Sequence, residues 1–363
     1  MKPPQGDDMA TQSPQEQVNS QLNNIRWSLE KLQKQVKLTS ARDRIEDLDT
    51  KIKGLAQRVL SLRNRGYPFE RILESQSGDL LKKWQPLRQA VQIQINQQST
   101  LLENALRPLE AKLGQAVNAT RSPALAAPIL KSLAAELDNL ENKASAAEST
   151  ISGMYDQLEA EANKVFSHLL QLEWAYTCLD QACFKLMPTE ALVMAVKAVW
   201  TRDGREDKDD PDGILYLTDQ RLLFEQKEEV ATKKVLFVTT ERKMVQQLAS
   251  EVPLALIQDL QATKQGVFKN EDHLNLTFKS GAPYQQMHFH LDGQNCNDWK
   301  SLINRVLSGE MTKDRAIAVD QVEVEKVKNA PTICPSCGGT IQQVILRGQE
   351  SIHCEFCGGV IRL

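Results

Sequence analysis

Apolar residues from Val18 onward recur at alternating steps of four and three: Val18, Leu22, Ile25, Leu29, Leu32, Val36. That spacing places them on one stripe of a helix, as the a and d positions of a coiled coil. The register then slips, and a second series runs Leu38, Ala41, Ile45, Leu48, Ile52, Leu55, Val59, Leu62. The slip reads as a stutter that changes the supercoil without ending the helix. Arg65-Gly66-Tyr67-Pro68 is a stop signal. A middle region carries Trp84, Leu87, Val91, Ile95, Leu102, Leu106, Leu109 and Leu113. Pro86 can begin a helix there, and Pro108 is a place for a kink or a break. Ser122-Pro123 and Pro128 mark a loop. A third series follows: Leu130, Leu133, Leu137, Leu140, Ala144, Ala147, Ile151, Met154, Leu158. Two readings of these stripes stay open, packing within one chain as a hairpin or bundle, and self-association into a homo-oligomer.

Past Met187-Pro188 the period changes from helix to strand. Ala191–Trp200 is apolar, and the runs Ile214–Leu217 and Leu222–Phe224 flank the polar turn Thr218–Arg221, a β-hairpin signature. Further apolar runs lie at Val235–Val238, Val252–Ile257, Gly266–Phe268, Leu274–Phe278 and Met287–Leu291. In Cys296–Leu307 the residues Trp299, Leu302, Ile303 and Val306 form a helical stripe. The expected order is about seven strands and then one amphipathic helix.

Composition sets bounds on function. A length of 363 residues has room for two or three domains, and a net charge of −3 gives no global basicity for nucleic acid or an acidic membrane. No run of eighteen apolar residues occurs, and polar Met1–Gln17 carries no secretory core, so a cytoplasmic protein is expected. Four of the seven cysteines form Cys334-Pro-Ser-Cys337-Gly-Gly and Cys354-Glu-Phe-Cys357-Gly-Gly. Sixteen residues separate the pairs, a spacing suited to a four-cysteine zinc site. Each pair can turn two sulfurs onto one ion, and the following glycines let the backbone curl around it. The expectation is one structural Zn2+ held by Cys334, Cys337, Cys354 and Cys357, with Thr340–Leu346 and Glu350–His353 pairing as strands about Arg347-Gly348. This looks like a zinc ribbon. Cys178 and Cys183 read as buried structural thiols.

The stretch Gly213-Ile-Leu-Tyr-Leu-Thr-Asp-Gln-Arg-Leu-Leu-Phe-Glu225, with Glu190-Ala-Leu before it, resembles GRAM and pleckstrin-homology modules. The resemblance covers about 185–310. It implies a bent seven-stranded barrel closed at one end by a C-terminal helix, with Trp299 as the plug, and binding of phosphoinositide or protein. The fold class is therefore multidomain: an all-α, coiled-coil helical N-terminal half, an α+β pleckstrin-homology-like barrel with a C-terminal helix, and a small zinc-ribbon β module. The expected parts are a disordered tail at 1–17, helices at 18–183, the barrel at 185–308, a linker at 309–331 with a short helix or strand at Ala316–Val327, and the ribbon at 332–363.

The loop Thr201–Asp212 holds six acids against three bases, and the basic doublets of the block are Lys233-Lys234 and Arg242-Lys243. A lipid headgroup needs a concentrated positive charge, so membrane lipid is disfavoured as a partner. The ribbon is near neutral, which disfavours nucleic acid. Asp209, Asp210 and Asp212 lack the ligand spacing of a calcium loop. His288 and His290 share a strand face and could join His273 on a metal; a surface pair is the commoner arrangement. No Gly-rich phosphate loop or nucleophile motif is present, so no catalytic residues are assigned. The sequence points to a non-enzymatic adaptor that binds protein partners through barrel and ribbon. Lipid binding and nucleic-acid binding are the rivals.

Overall fold

The computed structural model describes residues 13–201, 206–207, 209–235, 238–268 and 270–363, with the side chains of 230–242 outside the description. Five helices come first: α1 (Pro14–Gln35), α2 (Thr39–Asn64), α3 (Ile72–Ala119), α4 (Pro123–Gly153) and α5 (Asp156–Asp180). Two compact units divide the chain, 1–55 with 77–164, and 56–76 with 165–363.

In the first unit the heptad stripes are the core. Val18, Leu22, Ile25, Leu29 and Leu32 of α1 are buried, as are Leu130, Leu133, Leu137 and Leu140 of α4. Cross-helix bonds give the direction of each rod. Gln35 donates to Ser145 at 3.1 Å, Ser40 to Glu148 at 2.8 Å and Arg44 to Glu159 at 2.8 Å, so α1–α2 and α4–α5 run parallel. Gln33 reaches Glu110 at 2.7 Å, while Arg42 reaches Asn96 at 3.0 Å and Arg88 reaches Glu46 at 2.9 Å, so α3 runs back against α1–α2. Of the two arrangements left open, hairpin or bundle, the unit is a bundle of three rods. Trp84 is buried at its centre, with its indole N–H on Asp49 at 3.0 Å.

The helix boundaries differ from expectation in four places. The register slip ends a helix: Leu38 takes a left-handed φ of 52° between α1 and α2, and its side chain is buried. That burial offsets a conformation that costs a branched residue about 1 kcal/mol. Pro86 and Pro108 both lie inside α3, and neither breaks it. Pro128 sits within α4, which begins at Pro123. Residues 14–17 are helical, because Ser13 and Glu16 close a capping box at the start of α1.

The second unit carries a seven-stranded antiparallel sheet: β1 (Leu192–Thr201), β2 (Asp212–Thr218), β3 (Arg221–Val235), β4 (Val238–Pro253), β5 (Ile257–Gln265), β6 (Glu271–Phe278) and β7 (Gln286–Asp292). The order is β4-β3-β2-β1-β7-β6-β5. One face gathers Leu215, Leu217, Leu222, Phe224, Leu274, Leu276 and Phe289, all buried. Helix α6 (Cys296–Leu307) has the expected bounds and packs on β5 and β6, with Trp299 and Ile303 buried. Of the expected run Val235–Val238, Val235 ends β3 and Val238 begins β4, and residues 236–237 lie outside the described residues. Gly266–Phe268, expected as a strand, lies in the β5–β6 turn, where Val267 is 93% exposed.

The segment expected as a linker holds its short element as a helix, and a further helical turn before it. It holds α7 (Glu310–Lys313) and α8 (Gln321–Lys328). Between them, the Ala316 N–H donates to the Pro68 carbonyl at 2.7 Å, and the Arg315 guanidinium lies 4.6 Å from the Phe69 ring centroid. The end of the chain forms β8 (Ser351–His353) and β9 (Val360–Arg362), which pair with each other. Thr340–Leu346 is not a strand; one bridge, Ile333 to Thr340, is all its pairing among the described residues. No described helix is long and apolar enough to cross a membrane.

Candidate metal centre and the turn beneath it

The two Cys-x-x-Cys pairs fold as near copies. The Cys334 N–H donates to the Gly339 carbonyl at 2.8 Å, and the Gly338 N–H returns to the Cys334 carbonyl at 2.9 Å. At the second turn, Cys354 donates to Gly359 at 2.9 Å and Gly358 to Cys354 at 2.8 Å. Gly338 and Gly358 take φ of 72° and 71°, a left-handed conformation that glycine alone adopts cheaply. The two curls face each other, and the four sulfurs lie within 4.8 Å of one another. Cys334 Sγ is 3.8 Å from Cys357 Sγ, and Cys337 Sγ is 3.6 Å from Cys354 Sγ. These four could hold a metal ion, and the described residues contain no other such group.

The electrostatics fit a cation. Backbone N–H groups of Cys337 and Ser336 bring the Cys334 thiol down to about 6. The Gly339 N–H favours the Cys337 thiolate too, yet hydrogen bonds with Cys357, Cys354 and Cys334 push that thiol up to about 12. Crowded sulfurs cannot all ionise without a positive charge among them. The apolar support is slight: Ile352 and Ile361 are buried with Cys334 and Cys354, with Ile341, Ile345 and Leu363 against them.

This module rests on the sheet through the β2–β3 turn, which the sequence had singled out. Thr218 Oγ1 accepts the N–H groups of Gln220 at 3.1 Å and Arg221 at 2.8 Å, and donates to Glu190 at 2.6 Å. Arg221 clamps Glu190 through Nε at 2.9 Å and Nη2 at 2.5 Å, and reaches Glu251 at 2.6 Å. Burial works against the Arg221 charge, but Glu190 and Glu251 hold its pKa above the ordinary value.

Asp219 faces the other way. Its carboxylate is 1% exposed, accepts the Ala191 N–H at 3.0 Å, and pairs with both Arg315 and Arg347. The backbone of Arg347 exchanges two bonds with the Gln220 amide, N–H to Oε1 at 2.6 Å and Nε2 to carbonyl at 3.2 Å. Gly348 follows at φ 82°, and a Cβ there would stand 2.2 Å from the Pro188 carbonyl oxygen. The Arg347-Gly348 turn is thus shaped to Pro188, Asp219 and Gln220. Sequence reading saw the turn and saw the Thr218–Arg221 quartet, but nothing in local pattern joins residues 128 apart.

Other candidates separate. His273 and His290 stack, with centroids 4.8 Å apart and rings 12° from parallel. His290 pairs with Glu206, and His288 bonds Asn275 at 2.7 Å, so the three histidines do not converge on a point. Burial and then His290 lower the pKa of His273. Cys178 is buried and Cys183 exposed, the latter against the expectation that both are buried thiols. Of the acidic loop, Arg202, Asp203, Arg205 and Lys208 lie outside the described residues, as do the side chains of Lys233, Lys234 and Arg242.

No family model matches this chain, and no curated protein does. Among solved structures, it is similar to the DH/PH domains of p115-RhoGEF at 12% identity, covering 82% of this chain and 95% of that one with a TM-score of 0.21. The R399E mutant of the same domains matches at 13% identity, 84% and 99% coverage and a TM-score of 0.19. Likeness at that level carries no argument about fold or activity.

Proposed function

We propose that the chain is a non-enzymatic adaptor whose sheet domain and C-terminal module present one surface to protein partners. In this reading the module is a zinc ribbon. Four Zn–S bonds of about 2.3 Å put the sulfurs of a regular tetrahedron about 3.8 Å apart; Cys334–Cys357 and Cys337–Cys354 stand at 3.8 and 3.6 Å, and all four sulfurs lie within 4.8 Å of one another. Four thiolates leave no open coordination position, so the ion would be structural. The sheet followed by α6 supports the resemblance to GRAM and pleckstrin-homology modules carried by Gly213–Glu225.

The observation that carries the reading is the apolar surface of the ribbon. Phe356 is 67% exposed, and Val360 and Ile333 are exposed as well. Such side chains on a module with so little apolar area of its own suit a protein interface better than water. The heptad stripes are already covered within one chain, so burial does not require self-association through them. A cytoplasmic location fits the reduced thiols of this reading.

The test is affinity capture with the full chain, comparing wild type with Phe356→Ala and Val360→Ser, each with and without chelator. Partners lost in all three perturbed states support the reading. Capture unchanged by any of them sinks it. Co-sedimentation with anionic liposomes, or salt-sensitive retention on DNA or RNA, would favour the lipid or nucleic-acid rival.

A further inference from the structure

We infer that metal at the four cysteines governs access to the β2–β3 turn: the loaded ribbon caps Pro188, Asp219 and Gln220, and loss of the metal uncovers them. The inference rests on the metal reading above, but its own footing is the contact between ribbon and sheet. Three features of that contact make it a latch and not a chance touch. First, the ribbon reaches the sheet with a backbone turn, Arg347-Gly348, whose close fit on the Pro188 carbonyl excludes any side chain at 348. Second, the Gln220 amide satisfies both backbone groups of Arg347, a reciprocal pair that demands one orientation of the turn. Third, Asp219 is shared. Arg315, from the segment between α7 and α8, and Arg347, from the ribbon, meet the same carboxylate oxygen.

That sharing sets the balance. Two guanidiniums on one buried carboxylate leave a surplus positive charge, and each arginine repels the other. The Arg315 pKa is lowered by burial and by Arg347, against the pull of Asp219, and Arg315 Nε is buried without a hydrogen-bond partner. The cost of this crowding is carried by the fit of the whole turn, and the turn is held in shape by the ribbon fold. The ribbon core is a handful of apolar side chains around two of the cysteines. A module of that size needs its metal to stay folded. Without metal the Arg347-Gly348 turn loses its shape, the Gln220 pairing goes with it, and Asp219 relaxes to a one-to-one pair with Arg315. The sheet keeps its fold, and the polar face of Asp219 and Gln220 opens to solvent or to a partner.

Hydrogen exchange on the full chain tests this, with zinc stoichiometry measured alongside. Two sheet-side peptides, 186–191 and 217–222, are compared with a sheet control at 274–278 and with the ribbon at 350–363. Zinc-loaded wild type is set against chelated wild type and zinc-loaded Arg347→Ala. The expected result is a rise of roughly tenfold or more in sheet-side exchange in both perturbed states. The control should stay unchanged throughout, and the ribbon of Arg347→Ala should stay protected. If the chelated ribbon opens while 186–191 and 217–222 hold their protection, the latch is refuted. An Arg347→Ala chain with unchanged sheet-side exchange refutes it equally. A chain that binds no zinc refutes the metal control, and the Arg347→Ala arm then decides alone whether the ribbon caps the turn.

Discussion

Glu190 and Arg221 face each other across the foot of the hairpin with almost no access to water, their side chains 0% and 5% exposed. A buried pair adds little by being formed, but removing one partner strands the other charge. Arg221→Met should therefore cost roughly 3–5 kcal/mol in urea unfolding followed at the sheet tryptophans. The double variant Glu190→Gln/Arg221→Met should regain part of that loss, and a single-variant loss within about 0.5 kcal/mol would mean water reaches the pair. Glu225 makes a different prediction. Burial alone would raise its pKa, but the Gln246 amide, the Cys183 N–H and the Tyr216 hydroxyl lower it below the usual value. A depressed carboxyl pKa gives stability that is complete above the unfolded pKa of about 4.3 and is lost as pH falls through the folded one. Unfolding midpoints should thus drop between neutral pH and pH 3 in wild type. Glu225→Gln should show a shallower drop over the same range and a lower midpoint at pH 7.

Among the elements, α3 carries the clearest contradiction between local preference and packing. Pro108 is exposed, yet lies well inside a helix of 48 residues. An interior proline forfeits one helix bond and costs about 3 kcal/mol against alanine. Leu102, Leu106 and Leu109 are buried on either side, and their burial overrides the break. Pro108→Ala should raise the stability of the bundle by about 1–3 kcal/mol, read by thermal unfolding. A loss of stability would show that the packing needs the bend. The same competition explains what the sequence did and did not disclose. Heptad stripes and the alternation in Leu274–Phe278 name their elements because burial repeats with the local period. β4 and β5 are rich in polar residues along much of their length, so their strand character comes from pairing with β3 and β6, which no local window contains. The apolar residues of Gly266–Phe268 fall in a turn, where an apolar run misleads. The four cysteines were legible as one group because their paired spacing is the one that a four-thiolate site requires. In the C-terminal module Glu350–His353 holds β8 as expected, but β8 pairs with β9 and not with Thr340–Leu346, because strands of three residues carry too short a side-chain pattern to read.

At the scale of the molecule, the boundary between helices and sheet does not fall at residue 185. The unit that holds the sheet also holds residues 56–76 and 165–184. The Tyr176 hydroxyl donates to the Leu192 carbonyl at 3.2 Å, and the Tyr216 hydroxyl reaches back to the Cys178 carbonyl at 3.3 Å. Cys183 N–H supports Glu225 at 2.7 Å, and Phe184 packs edge-on against Tyr216 with centroids 5.0 Å apart. Pro68 and Phe69 anchor the segment that carries Arg315. A fragment of residues 185–363 would contain every described strand and the four clustered cysteines, yet leave Glu225 buried without one of its donors and expose the faces under Tyr176 and Phe184. Each unsatisfied buried group costs about 1–3 kcal/mol, and the uncovered aromatic area adds to that. The fragment should therefore unfold at a clearly lower urea concentration than the sheet of the full chain, with tryptophan fluorescence as the probe. On the zinc reading proposed above, its metal content should match that of the full chain, because the four sulfurs and their glycine curls lie wholly within it. Matching midpoints would place the whole stability of the sheet within residues 185–363 and make the helix ends passengers.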